Sequence, residues 1–345
     1  MKVGVAPRLW FGASRIGLRG KTRAELISLG CAMNHHRKSK SLLSTVVAGL
    51  TGLAIAIPLA AGAAAPAQAS LPDAAVSAAG APNGTAQIFL TPDMTGDGIG
   101  DLVQKRYNGE LWLYPGNGKG DLTKPRQMGS MSPFYDLVFP GDWDGDGKAD
   151  MIAIAPGGEM YLFSGNGKGG LADARQIGHG WRFYRVIPVG DLTGDGIPDL
   201  LSVHIDTGVL LLYTGNGKGG FRQGHRQVGH GWRNMELLPA GDLNRDGRND
   251  ILGVTGDGRL LFYSGKGTGT FQKATQVGHG WKNLALASGA DLNRDGKTDI
   301  VGLKLDGTLL FYAGKGNGGF NPPIRVGKGF DFSWGAPDRL KPTSP

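Results

Sequence analysis

From residue 85 onward the chain is a succession of short apolar runs, each four to seven residues long, cut by glycine and aspartate clusters. The run Tyr184 to Val189 is typical; the second run of the same stretch spans Asp199 to His204, the third Val209 to Tyr213 and the fourth Arg226 to Gly229. Runs this short, rich in Val, Ile, Leu and aromatic residues and bounded by turn formers, predict β-strands, and no window outside the first 69 residues carries a helical period. The turn between the second and third runs is Thr207-Gly208, and it recurs as Asn108-Gly109, Gly157-Gly158, Asp257-Gly258 and Asp306-Gly307. Two-residue hairpins ask for these residues, because their central positions take positive φ.

The pattern repeats. An acidic loop starts at Asp93, Asp142, Asp191, Asp242 and Asp291, at spacings of 49, 49, 51 and 49 residues. A glycine-rich turn follows at Gly116, Gly165, Gly215, Gly265 and Gly314, and a Gly-x-Gly-aromatic stretch comes third, as in Gly178-His179-Gly180-Trp181. Four strands repeated about every 49 residues predict propeller blades, since one blade cannot bury both its faces but a ring of blades can. The expected fold is therefore all-β, a β-propeller of five four-stranded blades over residues 85–334, with repeats near 85–133, 134–182, 183–233, 234–282 and 283–330. A larger ring completed by a second chain and an open array are the alternatives.

Each acidic loop places oxygen side chains at positions 1, 3, 5 and 9 and glycine at position 6. The first has Asp93, Thr95, Asp97 and Asp101; the second Asp142, Asp144, Asp146 and Asp150; the third Asp191, Thr193, Asp195 and Asp199. The fourth has Asp242, Asn244, Asp246 and Asp250, and the fifth Asp291, Asn293, Asp295 and Asp299. Position 7 varies (Ile99, Lys148, Ile197, Arg248, Lys297), as expected if only its carbonyl serves as a ligand. Calcium takes six to eight hard oxygens, and a loop with ligands at 1, 3, 5, 7 and 9 and a sharp glycine turn at 6 supplies them. Five Ca²⁺ sites are expected. A turn that binds nothing would leave three or four carboxylates repelling one another, five times over. The second loop, with four carboxylates, is expected to bind tightest.

Composition shifts the picture in two places. The formal charge of +8 comes from residues 1–69, with nine Lys/Arg against Glu25; the remainder has 28 bases and 28 acids, so it gives no reason to expect a nucleic-acid partner. The loops hold 16 of those acids. Five bound dications would turn a neutral domain into one of about +10, a surface suited to anionic polymers such as cell-wall glycans; a mixed, merely solvated surface is the alternative. Second, the only cysteine is Cys31, so a domain beginning after it has no internal disulfide, and calcium would be its staple.

The first 69 residues read as a leader. Residues 1–32 resemble no targeting segment and look like a mis-assigned extension; from Met33, a basic stretch (His35 to Lys40), an apolar run (Leu42 to Ala61) and Ala67-Gln68-Ala69 form a signal peptide ending before Ser70. The mature chain is expected outside a Gram-positive-type bacterial cell and free of the membrane, with residues 70–84 a linker and 335–345 a tail. An uncleaved anchor is the other reading of the apolar run.

With their Asp-Leu/Ile/Met-aliphatic continuations, the loops resemble the FG-GAP or VCBS-type repeat of integrin α-subunit propellers and many secreted bacterial proteins. The resemblance covers residues 84 to about 330 and implies calcium loops that are structural, with binding carried elsewhere on the ring. The Gly-x-Gly-Trp stretch and the repeat length also resemble tachylectin-type five-bladed lectins, which implies sugar sites between blades. On that reading the candidate carbohydrate-binding residues are His179, Trp181, Arg182, His230, Trp232, Arg233, His279, Trp281 and Lys282. The rings would stack on a pyranose while His and Arg donate hydrogen bonds. The other reading makes the tryptophans inter-blade core. The Gly-Asn-Gly-Lys-Gly turns at 116–120, 165–169 and 215–219 lack a following helix and a Lys-Ser/Thr ending, so they are turns and not phosphate loops. No nucleophile elbow, His-Glu-x-x-His or symmetry-breaking acid/base pair is present, so a binding module for a glycan is expected. An adhesion scaffold for an extracellular protein is the second reading, and a hydrolase using the channel the third.

Overall fold

A computed structural model describes residues 87–330. The extension, signal peptide, linker and tail expected from the sequence lie outside these residues. Blade one is β1 (Gln87–Thr91), β2 (Asp101–Lys105), β3 (Glu110–Tyr114) and β4 (Arg126–Ser130); blade two is β5 (Asp136–Gly141), β6 (Asp150–Ile154), β7 (Met160–Phe163) and β8 (Arg175–Gly178). Blade three is β9 (Tyr184–Gly190), β10 (Asp199–His204), β11 (Leu210–Thr214) and β12 (Arg226–Gly229). Blade four is β13 (Met235–Gly241), β14 (Asp250–Thr255), β15 (Arg259–Tyr263) and β16 (Thr275–His279), and blade five is β17 (Leu284–Ala290), β18 (Asp299–Lys304), β19 (Leu309–Tyr312) and β20 (Ile324–Gly327). Every sheet is an antiparallel meander in chain order, so the five blades are five contiguous segments and none borrows a strand from another. The predicted third blade matches the structure to within a residue or two.

Five apolar clusters fill the five seams between neighbouring blades. Residues on adjacent positions of an inner strand serve different seams, because side chains alternate across a sheet: Val186 packs with blade two and Ile187 with blade four. The second strands, covered on both sides, are buried along nearly their whole length. The seam between blades one and five is as complete as the rest: Ile88, Leu90 and Leu102 pack with Leu292, Val301 and Phe311. The ring is therefore closed within one chain, which excludes the open array and the two-chain ring.

The seams share one hydrogen bond. Position 2 of each acidic loop is a buried apolar residue whose carbonyl accepts from a glycine N–H in the next blade's Gly-rich turn. The pairs are Gly169 to Met94, Gly219 to Trp143, Gly269 to Leu192, Gly318 to Leu243 and, closing the ring, Gly120 to Leu292. Around that bond the seams differ. In the first three, an arginine at the start of the outer strand reaches carbonyls of the same turn: Arg126 to Lys168, Arg175 to Lys218 and Gly219, Arg226 to Thr268. The last two outer strands start with Thr275 and Ile324 instead. There Phe262 and Phe311 cover the turn glycines Gly318 and Gly120, and loop residues Arg245 and Arg294 lie over Gly316 and Gly118.

Candidate functional site

The acidic loops join each first strand to its second, so they line one face of the ring. At position 1, Asp93 accepts from the N–H groups of Gly96 at 2.6 Å, Asp97 at 3.2 Å and Gly98 at 2.6 Å. Burial works against the Asp93 carboxylate, but these N–H donors hold its pKa below the usual range. Asp142, Asp191, Asp242 and Asp291 repeat the arrangement, each accepting from the N–H groups of positions 5 and 6. The position-5 carboxylates of Asp97, Asp146, Asp195, Asp246 and Asp295 each accept from the N–H of position 7, at 2.9–3.0 Å. The side chains of Lys148 and Lys297 fold onto position 5 of their own loops. Such exposed pairs contribute little and yield readily to a stronger cation.

Position 9 is placed differently. Asp101, Asp150, Asp199, Asp250 and Asp299 are fully buried. One oxygen of each accepts from the N–H of position 2, at 2.8–3.0 Å. The other oxygen, in four of the five, accepts from the first glycine of the Gly-rich turn: Gly116, Gly165, Gly265 and Gly314. Position 9 thus ties three segments of the blade together. Burial pushes these carboxylates up to about 6 in every blade, against the lowering effect of the N–H donors.

The second loop is the best-formed oxygen cage: ligand atoms of Asp142, Asp144 and Asp146 lie within 4.8 Å of one another. Oδ1 of Asp144 is buried without a hydrogen-bond partner, a demand that a hard cation meets. Three converging carboxylates with hard-oxygen chemistry fit Ca²⁺. The other four loops keep the same backbone with Thr95, Thr193, Asn244 or Asn293 at position 3. Position 4 separates them further. It is glycine at positive φ in the first three loops, while Arg245 and Arg294 take it at φ 63° and 59°, the only non-glycine residues with positive φ among those described.

The Gly-x-Gly-aromatic corners lie at the opposite end of the inner strands, roughly 20 Å away for a seven-residue strand. The N–H of Trp181, Trp232 and Trp281 donates to the hairpin carbonyls of Gly158, Gly208 and Gly258, folding each corner onto its own blade. The indoles then turn inward. A Cβ at Gly178, Gly229 or Gly278 would stand 2.9, 2.5 and 2.5 Å from the ring nitrogen, so the first glycine of the corner is the floor on which the indole lies. Trp181 and Trp281 are 1% and 8% exposed and belong to the seam clusters; Trp181 stacks on Phe221 and lies tilted against Tyr213, and Trp281 lies tilted against Tyr312. Trp232 is half-buried against Tyr263. Phe330 and Met131 occupy the same place in blades five and one. This corrects the stacking expectation for Trp181 and Trp281: their faces are spent on the seams. The neighbouring polar residues do reach the surface. Arg182, His230, Arg233, His279 and Lys282 are exposed, and His179 is partly so.

Two aromatic residues that the repeat pattern passed over are exposed on this face. Phe134 and Phe183 are 46% and 47% exposed, one residue before Tyr135 and Tyr184 in adjacent blades. The Arg182 guanidinium lies over the Phe183 ring at 5.5 Å, and His204 stacks on it at 6.5 Å. The only sequence signal was their place just outside the apolar strand, where alternation says nothing about exposure.

A five-bladed ring with an acidic loop at each first turn defines a repeat propeller. A family model of the FG-GAP-like repeat matches residues 93–153, 142–202, 191–253 and 242–302, and the chain belongs to that family. No curated protein matches the sequence. Among solved structures it is similar to an Agrocybe aegerita lectin described as specifically recognising non-reducing terminal N-acetylglucosamine. The identity is 20%, over 72% of this chain and 82% of that one, with a TM-score of 0.44. It is also similar to a lectin from Burkholderia pseudomallei, at 15% identity over 70% of each chain and a TM-score of 0.43. Aleuria aurantia lectin, solved with Fucα1-6GlcNAc, matches at 13% identity over 72% of this chain and 81% of that one, with a TM-score of 0.40.

Proposed function

We propose that this protein is a secreted, calcium-stabilised propeller that binds glycans on the face of the Gly-x-Gly-aromatic corners. The observation that carries the reading is Phe183, a half-exposed ring flanked by the Arg182 guanidinium and the His204 imidazole. An aromatic face between hydrogen-bond donors suits the apolar face of a pyranose and its hydroxyl or acetamido oxygens. Phe134 offers a second ring in the blade before it. Calcium belongs to the other face. There, positions 1, 3 and 5 of each loop would hold the ion with the position-7 carbonyl, and the buried position-9 carboxylate would add charge from beneath. The ion's part is to cancel the repulsion within each loop and so to hold both the blade and the seam.

A glycan array with N-acetylated and anionic cell-wall fragments tests the reading. Binding by the wild type that is lost in Phe183→Ala supports it, and an array that stays blank, with or without Ca²⁺, overturns it. A protein partner is the second reading. It is favoured by Leu305, which stands 84% exposed at the hairpin of blade five.

A further inference from the structure

The inner strands enclose an axial cavity of about 200 Å³. Its wall is apolar, with Ile88, Leu137, Val186, Leu237 and Leu286 forming one tier. The next tier is set by register. Gln87, Asp136, Arg185, Glu236 and Ala285 each pair with the residue four places after a position-9 aspartate, so they are equivalent in the five blades. The tier breaks the symmetry that the loops keep. Of its members, Arg185 and Glu236 line the cavity and are the only charged residues that do so.

The polar side chains of this lining are engaged, with one exception. Asn249 donates to the carbonyl of Asp191, and Ser288 to that of Pro239. Arg185 donates to the carbonyls of Trp232 and Arg233 at 3.1 and 3.2 Å. Glu236 has no such partner: its Oε1 is buried without a hydrogen bond, and no ion pair among the described residues closes on it. Glu236 is half-buried, and a carboxylate oxygen buried in an apolar wall without a donor is costly. Arg185 acts on Glu236 only through space, because its guanidinium is turned to the Trp232 and Arg233 carbonyls; what Oε1 lacks is a direct donor, and a cation on a compact apolar body suits this lining.

We infer that the axial channel is a binding site for a small primary amine, its ammonium group on Glu236 and its apolar body against the Ile88–Leu286 tier. A hydroxyl would satisfy the hydrogen bond but add nothing to the partial charge compensation that Arg185 provides. The size fits: at roughly 10–15 Å³ per water, the cavity holds roughly 13 to 20 waters, room for an amine of about six to ten heavy atoms. This site is independent of the glycan face, since it uses neither Phe134 nor Phe183.

The charged surroundings of Glu236 decide how binding depends on pH. Arg185, on β9, favours its ionised form, while burial disfavours it more strongly and pushes it up to about 7. Asp136 on β5 sits beside Lys105 on β2, whose ammonium is held by the carbonyls of Pro133 and Tyr135. An aliphatic ammonium keeps its proton throughout this range, so affinity rises as Glu236 ionises.

Cyclohexylamine, with cyclohexanol as its neutral counterpart, is the probe. Titrations of the full chain by calorimetry and ligand-detected NMR are expected to show the amine binding at least tenfold more tightly than the alcohol at pH 8. The preference should vanish in Glu236→Gln, and amine affinity should fall severalfold between pH 8 and pH 6. The wild-type pH series tests the idea even if the variant does not fold. Equal binding of amine and alcohol, no binding of either, or a pH-independent amine affinity would overturn it.

Discussion

The guanidinium of Arg294 donates to the main-chain carbonyl of Asp97, 197 residues away, across the seam between the last blade and the first. Like the other four seams, this one shares no strand, so packing and hydrogen bonds between side chains and loops close the ring there. Arg294 reaches Asp97 from the turn of its own acidic loop, where it adopts a left-handed backbone that costs an ordinary residue about 1–2 kcal/mol. The strain is tolerated because the side chain launched from it spans to the neighbouring loop. The seam is thus held from the same loops that are proposed to take calcium.

Removing the clasp separates strain from contact. Arg294→Ala keeps the strained backbone and loses the hydrogen bond; Arg294→Gly loses the bond but relieves the strain. Thermal denaturation should place the glycine variant above the alanine variant by about 1 kcal/mol, or roughly 2–4 °C for a domain of this size. Equal melting temperatures would mean that the left-handed backbone carries no cost.

Calcium should raise stability measurably. A ligand at 100 times its Kd adds about 2.7 kcal/mol per site, so chelation should lower the melting temperature by many degrees. Asp144→Asn should weaken the tightest site in a direct Ca²⁺ titration and leave the other four unchanged. A chelator-insensitive melt would falsify the calcium assignment.

Tryptophan and phenylalanine substitutions should part company. Trp181→Ala empties a seam and should cost about 3–5 kcal/mol. Phe183→Ala removes a half-exposed ring and should cost under about 1 kcal/mol while abolishing glycan binding. If Trp181→Ala folds with full stability, the indole is not the seam filler described above.

Glu236 should make stability depend on pH. Its pKa, raised from 4.5 to about 7 by burial despite Arg185, means that the folded chain binds more protons than the unfolded one between those values. The stabilisation is whole below about pH 4.5 and lost as pH rises through about 7. Glu236→Gln should therefore gain stability relative to wild type at pH 8, by at most about 3 kcal/mol at 1.4 kcal/mol per unit. It should gain little or nothing at pH 4. Denaturant melts at the two pH values read this directly, and an equal offset at both would remove the carboxylate from the explanation.

Much of this architecture is written in local chemistry. The acidic loops need oxygen side chains and a glycine at fixed spacing. The hairpins need residues that tolerate positive φ, and the strands need short apolar runs. All three recur every 49 to 51 residues, so the blade, its four strands and the count of five are legible along the chain. What lies between blades is set only when the ring packs, because a seam joins residues that share no local pattern. Trp181 looks the same in sequence whether its ring faces a sugar or Phe221; only the ring's closure shows that the seam takes it. Phe183 reads as one more residue at a strand's edge until the fold leaves it half-exposed. Arg185 and Glu236 lie 51 residues apart on separate strands, and only when both strands line one channel does the buried Glu236 oxygen without a hydrogen bond become visible.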